Sequence, residues 1–110
     1  MLRLLADENL DANIVRGMRR RLPELDIVRV QDAGLTGAVL AAADGRVLVT
    51  HDVQTITRYA RERVEAGLPM PGVVEVMAAA DIGTVINDLV ILLACCTAED
   101  LDGNVRYLPL

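Results

Sequence analysis

An α/β domain built on a mostly parallel sheet is the fold this sequence predicts, and three observations predict it. Short apolar runs alternate with longer stretches of helical periodicity, the pattern of repeated strand–helix–strand units. The strands expected at Leu2–Ala6, Arg46–Thr50 and Val73–Met77 are largely continuous rather than alternating in apolarity, as parallel strands covered on both faces are. With 110 residues, 53% hydrophobic and 25% charged, the chain is sized and composed for a single globular domain, residues 1–110. No repeat, low-complexity segment or linker interrupts it.

The elements follow in order. Leu2–Ala6 is a short apolar run that ends in polar Asp7-Glu8-Asn9. Leu10, Ile14, Val15, Met18 and Leu22 then recur at helical spacing, with Asn9 or Asp11 as cap and Pro23 as the stop. Asp26–Val30 reads as the second strand, and Gly34 and Gly37 punctuate the loop after it. Ala38–Ala43 is a short Ala-rich helical turn closed by Asp44-Gly45, and Arg46–Thr50 is the clearest strand. Val53, Ile56, Ala60 and Val64 form one stripe of a helix that stops at Gly67, with Pro69 and Pro71 barring its continuation.

Val73–Met77 is the fourth strand. Ile82, Val85, Ile86, Leu89, Val90, Leu92, Leu93 and Cys96 make a helix apolar around most of its circumference, either deeply buried or half of a homo-oligomer interface through residues 82–96. Val105–Leu108 is a candidate last edge strand. The expected architecture is a three-layer sandwich with helices on both faces, right-handed crossovers and strand order 2-1-3-4, extended by that edge strand.

Composition removes several function classes. Phe and Trp are absent and only Tyr59 and Tyr107 are aromatic, so there is no stacking platform for single-stranded bases. A net charge of −5 opposes broad adhesion to nucleic acid, though not a local basic groove. Adjacent Cys95 and Cys96 are the only thiols and cannot staple the fold, which fits a reducing cytoplasm. The longest apolar run, Leu89–Cys96, is too short to span a bilayer, and Asp7 interrupts any signal-like start, so a cytoplasmic protein is expected.

The candidate chemistry lies where two strands end in acid, Asp7-Glu8 after the first and His51-Asp52 after the third. In a 2-1-3-4 sheet those strands are neighbours at the switch point, where open α/β sheets bind ligands. Grouped carboxylates need a cationic partner, and Mg²⁺ or Mn²⁺ is the usual one for oxygen ligands. Alternatively, Asp7 and Asp52 simply cap the helices that follow. His51 is a candidate proton carrier, but a lone histidine at a strand end is more often structural. Arg16, Arg19, Arg20 and Arg21 on the first helix, and Arg58, Arg61 and Arg63 on the helix after the third strand, can steer a phosphodiester or merely solvate a helix face.

Receiver domains of two-component signalling place acids similarly but also use a lysine, and all 11 basic residues here are Arg. A Gly-rich phosphate loop after the first strand and Cys/His metal spacing are likewise missing.

Four segments, Leu4-Leu5-Ala6-Asp7-Glu8-Asn9-Leu10, Val30-Gln31-Asp32-Ala33-Gly34-Leu35, Arg46-Val47-Leu48-Val49-Thr50-His51-Asp52 and Pro71-Gly72-Val73-Val74, together resemble the PIN-like family known as domain of unknown function 5615. The resemblance runs from about Leu2 to Asp88. It implies a PIN-like fold and an Mg²⁺- or Mn²⁺-dependent ribonuclease, often the toxin of a toxin–antitoxin pair whose small antitoxin carries a DNA-binding domain. By position it makes Asp7 and Asp52 metal ligands, with Glu8 a supporting catalytic acid and Asp32 a further family acid. Asn9, Thr50 and His51 fall in the same motifs as supporting residues, and Arg16, Arg20 and Arg58 are the candidate RNA contacts.

Two departures from the family pattern reduce the acid count. A further Asp expected after the second strand has no counterpart beyond Gly37-Ala38, and the Thr-x-Asp-x-Asp-Phe pattern becomes Thr50-His51-Asp52-Val53-Gln54-Thr55. The residues that remain suit one ion rather than two. The alternative is a catalytically impaired PIN-like module that binds an antitoxin or itself without cleaving RNA.

Overall fold

A computed structural model describes residues 1–31 and 35–110 of the chain. Its strands are β1 (Leu4–Ala6), β2 (Ile27–Arg29), β3 (Val47–Thr50), β4 (Val73–Val76) and β5 (Val105–Leu108). Its helices are α1 (Ala12–Arg21), α2 (Leu35–Ala43), α3 (Gln54–Glu65), α4 (Ile82–Cys95) and the short α5 (Ala98–Leu101). The strands form one all-parallel sheet in the order β2-β1-β3-β4-β5. The expected fold class and strand order hold, and Val105–Leu108 is the edge strand.

Every residue of β1, β3 and β4 is buried, as continuous apolarity required. Side chains alternate across the sheet. Leu4, Ala6, Val47, Val49, Val74 and Val76 therefore pack on one face, against Ile14, Val15 and Met18 of α1 and Val85, Leu89, Leu92 and Leu93 of α4. Leu5, Leu48 and Val73 face the other way, against Ala38 and Ala41 of α2 and Ile56 and Ala60 of α3. Gly17 lets α1 and α4 approach, since a Cβ there would stand 2.3 Å from Ile86 Cδ1.

The connections are not uniform in hand. From β2 to β3 to β4 the chain steps one way over the α2/α3 face, and from β1 to β2 it steps the other way over the α1 face; these share one hand. From β4 to β5 it again steps toward the β5 edge, but α4 lies on the α1 face, so this crossover has the opposite hand. Covering Val74, Val76 and Leu108 is the physical reason, because without α4 that half of the face would be bare. Burial here outweighs the usual preference for one hand.

The near-continuous apolarity of α4 is mostly spent inside the chain, and its exposed apolar side chains are Ile91, Ala94 and Cys95. Two helices also differ from expectation. Helix α2 begins at Leu35 rather than Ala38, and α5 is an extra helix, announced by the capping box Thr97-Ala98-Glu99-Asp100.

The amino-terminal edge of the sheet is closed by ion pairs. The buried Arg46 guanidinium donates to Leu4 O at 3.1 Å, Asp26 Oδ1 at 2.7 Å and Asp44 Oδ2 at 2.5 Å, and Arg3 approaches the same two carboxylates at 3.4 Å. Hydrogen bonds from Arg46 hold the Asp26 and Asp44 carboxyls below their usual range, so their contribution to stability is present at neutral pH and is lost as pH falls through their folded values.

Candidate functional site at the carboxyl edge of the sheet

Two residues beyond Leu5, Leu48 and Val73, on the same α2/α3 face, stand Asp7, Thr50 and Glu75. Register makes them one row, because Ala6 pairs with Val49, and Thr50 pairs with Glu75. All three are buried, Asp7 and Thr50 at 0% exposure and Glu75 at 1%. A row of apolar strand residues thus turns polar where β1, β3 and β4 end, on both sides of the switch point between β1 and β3.

A chain of hydrogen bonds organises the row. Asp7 Oδ1 accepts from Leu10 N at 3.0 Å, closing the turn before α1, and Asp7 Oδ2 accepts from the Thr50 hydroxyl at 2.5 Å. Thr50 Oγ1 in turn accepts from Asp52 N at 3.0 Å, and Asp52 Oδ1 accepts from Thr55 N at 3.0 Å in the first turn of α3. Asp7 thereby positions, through Thr50, the loop that presents Asp52. Asp52 is half-buried, and its Oδ2 accepts no hydrogen bond among the described residues.

The capping alternative is therefore met by Asp52, whereas α1 is capped by Asp11, whose side chain accepts from Asn13 N at 2.8 Å. His51 ties three elements together. Its Nδ1 lies 2.9 Å from Val76 O and its Nε2 accepts from Asp11 N at 3.2 Å, a pairing that places the proton on Nδ1.

Glu75 was not among the residues the sequence singled out. Thr57 of α3 donates to its Oε1, while Oε2 is buried with no partner. Burial pushes its carboxyl above the usual glutamate range, the Thr57 hydrogen bond opposes this, and the charge of Asp52 adds to it. The available signal was an acid inside the apolar run Val73-Val74-Glu75-Val76, one strand over from the Thr50 motif.

A group whose folded pKa is raised contributes stability that is complete below the unfolded value and lost as pH rises through the folded one. Glu75→Gln, which stays neutral, is therefore expected to stabilise the chain at neutral pH, because it removes the buried charge while keeping the shape of the side chain. The gain should shrink to nothing under acid. Urea melts of both forms in EDTA across pH read this directly, and an equal or lower stability of the variant at pH 7 contradicts it.

The other predicted site residues are more open. Glu8 and Asn9 are exposed, and Arg29 secures their turn by donating to Glu8 O at 3.1 Å and Leu10 O at 3.0 Å. Arg16, Arg20 and Arg58 are all exposed; Arg16 bonds Asn13, and Arg58 pairs with Glu62 at 3.0 Å. Asp32 lies outside the described residues.

Among the described residues no three His, Cys, Asp or Glu side chains are grouped to hold a metal ion. The described residues therefore assemble no ligand set for two ions. One hard ion fits, because Mg²⁺ keeps several waters and commonly takes only one or two carboxylates. Asp52 Oδ2 has no hydrogen-bond partner among the described residues, whereas each oxygen of the fully buried Asp7 already accepts one hydrogen bond.

Shallow hollows flank α3. One of about 450 Å³ runs from Gln54 and Thr55, beside Asp52, past Arg58 and Tyr59 to Glu62, and another of about 370 Å³ lies between α3 and β5. Among the described residues no helix is long and apolar enough to cross a membrane. Comparison with family models, curated proteins and solved structures gives no match to this chain.

Proposed function

We propose that the chain is a PIN-like ribonuclease dependent on one Mg²⁺ or Mn²⁺ ion, with Asp52 facing the ion and Asp7 holding Asp52 in place. The observation that carries this reading is the contrast between the two edges of the sheet. At the amino edge Asp26 and Asp44 are neutralised by Arg46 and Arg3. At the carboxyl edge Asp7, Asp52 and Glu75 have no ion-pair partner among the described residues, which leaves negative charge where a cation is the natural complement.

When bound, such an ion polarises a phosphodiester and lowers the pKa of a water. The chain's own residues supply the rest. Thr50 and Asp7 fix the Asp52 loop, and exposed Glu8 stands at the adjoining strand end to assist with a water. Arg58, in the hollow that starts beside Asp52, offers a phosphate contact that positions the RNA without reading its sequence. Arg16 and Arg20 on α1 extend the same basic role. The likeness of the four sequence segments to the toxin-type family supports a role as a toxin restrained by a small antitoxin.

Cleavage of a mixed RNA pool tests this reading. The expected result is scission that rises with Mn²⁺ or Mg²⁺ and stops with EDTA; scission indifferent to chelation, or none at any metal concentration, argues against it. In the second case the noncatalytic module becomes the better reading, since both oxygens of Asp7 already serve structural hydrogen bonds. That module predicts a defined complex with an antitoxin or with a second copy through α4, visible by light scattering.

A further inference from the structure

The feature that the one-ion reading leaves unexplained is Glu75. A carboxylate at 1% exposure is costly unless its oxygens are satisfied, and only Oε1 is, through Thr57. No arginine pairs with it among the described residues, although the same chain neutralises its amino-edge acids with two. Glu75 is also the register partner of Thr50, the residue whose hydroxyl holds the Asp52 backbone. Glu75 thus stands beside the strand end from which the loop carrying Asp52 departs.

We propose that Glu75 is an ion ligand supplied by β4, its Oε2 and Asp52 Oδ2 forming the protein part of the shell around one divalent cation. The inference rests on the divalent-ion reading above and assigns that site a residue from a strand the motif does not include. The loop after β3 offers Gln54 where a second acid is expected, so the charge a cation needs comes from the neighbouring strand instead. Two carboxylates with water filling the remaining positions are a common shell for Mg²⁺ or Mn²⁺. Coordination would also satisfy Oε2, which nothing else among the described residues does.

Mn²⁺ binding to the full chain, followed by the electron paramagnetic resonance signal of free Mn²⁺, tests this without any assay of activity. The wild type is expected to bind one ion, and Glu75→Gln to bind it about tenfold more weakly or worse. The Mn²⁺-induced rise in melting temperature should shrink in parallel, while the melt in EDTA is no lower than wild type. Glu75→Asp, which keeps the charge on a shorter stem, is expected to fall between the two and serves if the amide variant does not fold. Glu75→Gln binding Mn²⁺ within twofold of wild type, while Asp52→Asn loses it, overturns the role of Glu75 and leaves the one-ion reading standing. A wild type that binds no Mn²⁺ at millimolar concentration overturns both.

Discussion

On the proposed ribonuclease function, Asp52→Asn is expected to lower metal-dependent RNA cleavage by about 10²-fold or more while leaving the melting temperature in EDTA nearly unchanged. The amide keeps an oxygen that can accept from Thr55 N, so the cap at the start of α3 survives. What changes is the oxygen that accepts nothing within the chain: an NH₂ group replaces it, and an NH₂ group cannot hold a hard cation. Asp7→Asn behaves differently, because Asp7 is buried and both of its oxygens accept. One of those acceptors becomes a donor, with an expected stability loss of about 1–3 kcal/mol. Cleavage is then expected to fall because the Asp52 loop loses its anchor. Initial rates at saturating Mn²⁺ paired with thermal melts separate the two behaviours, and Asp52→Asn cleaving at the wild-type rate removes Asp52 from the chemistry.

Gly72→Ala is the substitution expected to cost the fold most, about 3 kcal/mol or more, from backbone strain and overpacking together. Gly72 enters β4 with φ of 126°, where a side chain is strained. A Cβ there would also lie 2.7 Å from the Leu101 carbonyl oxygen, a backbone atom that cannot rotate away. The two effects act on the junction that seats α5 against the strand carrying Glu75. A fall of about 10 °C or more in melting temperature is expected for a domain of this size. Gly67→Ala is the matched control, since its φ is 70° but no atom lies within 4 Å of the added Cβ, and about 1 kcal/mol is expected there. Equal melting temperatures for the two variants would mean that the Leu101 contact carries no weight.

The parts of the fold that the sequence made legible are those in which one physical demand dominates. Continuous apolarity in Leu4–Ala6, Val47–Val49 and Val73–Val74 means cover on both faces, hence a parallel sheet; cap and stop residues bounded α1, the Gly67 stop ended α3, and the apolar run from Ile82 to Cys96 placed α4, each within a residue or two. Helix α5 was missed despite its capping box because four residues carry no periodicity. The right-handed crossover expected of every connection fails at α4, since the side on which it folds back depends on which sheet face is otherwise uncovered. At the candidate site, the acid-tipped strands were legible. The burial of Asp7 and its bond to Thr50 depend on the register of β1 against β3, which no local pattern encodes. Glu75 was hidden for a related reason, because a lone acid in a strand looks like a solvent-facing position until α3 is seen to cover it.

A divalent ion bound by Asp52 at the carboxyl edge of the sheet is the centre of the proposed function. Anomalous scattering from crystals of the full chain grown or soaked with Mn²⁺ measures that position directly. The predicted result is one peak within bonding distance of Asp52 Oδ2; a soaked crystal with no peak at the ends of β1, β3 and β4 would contradict it.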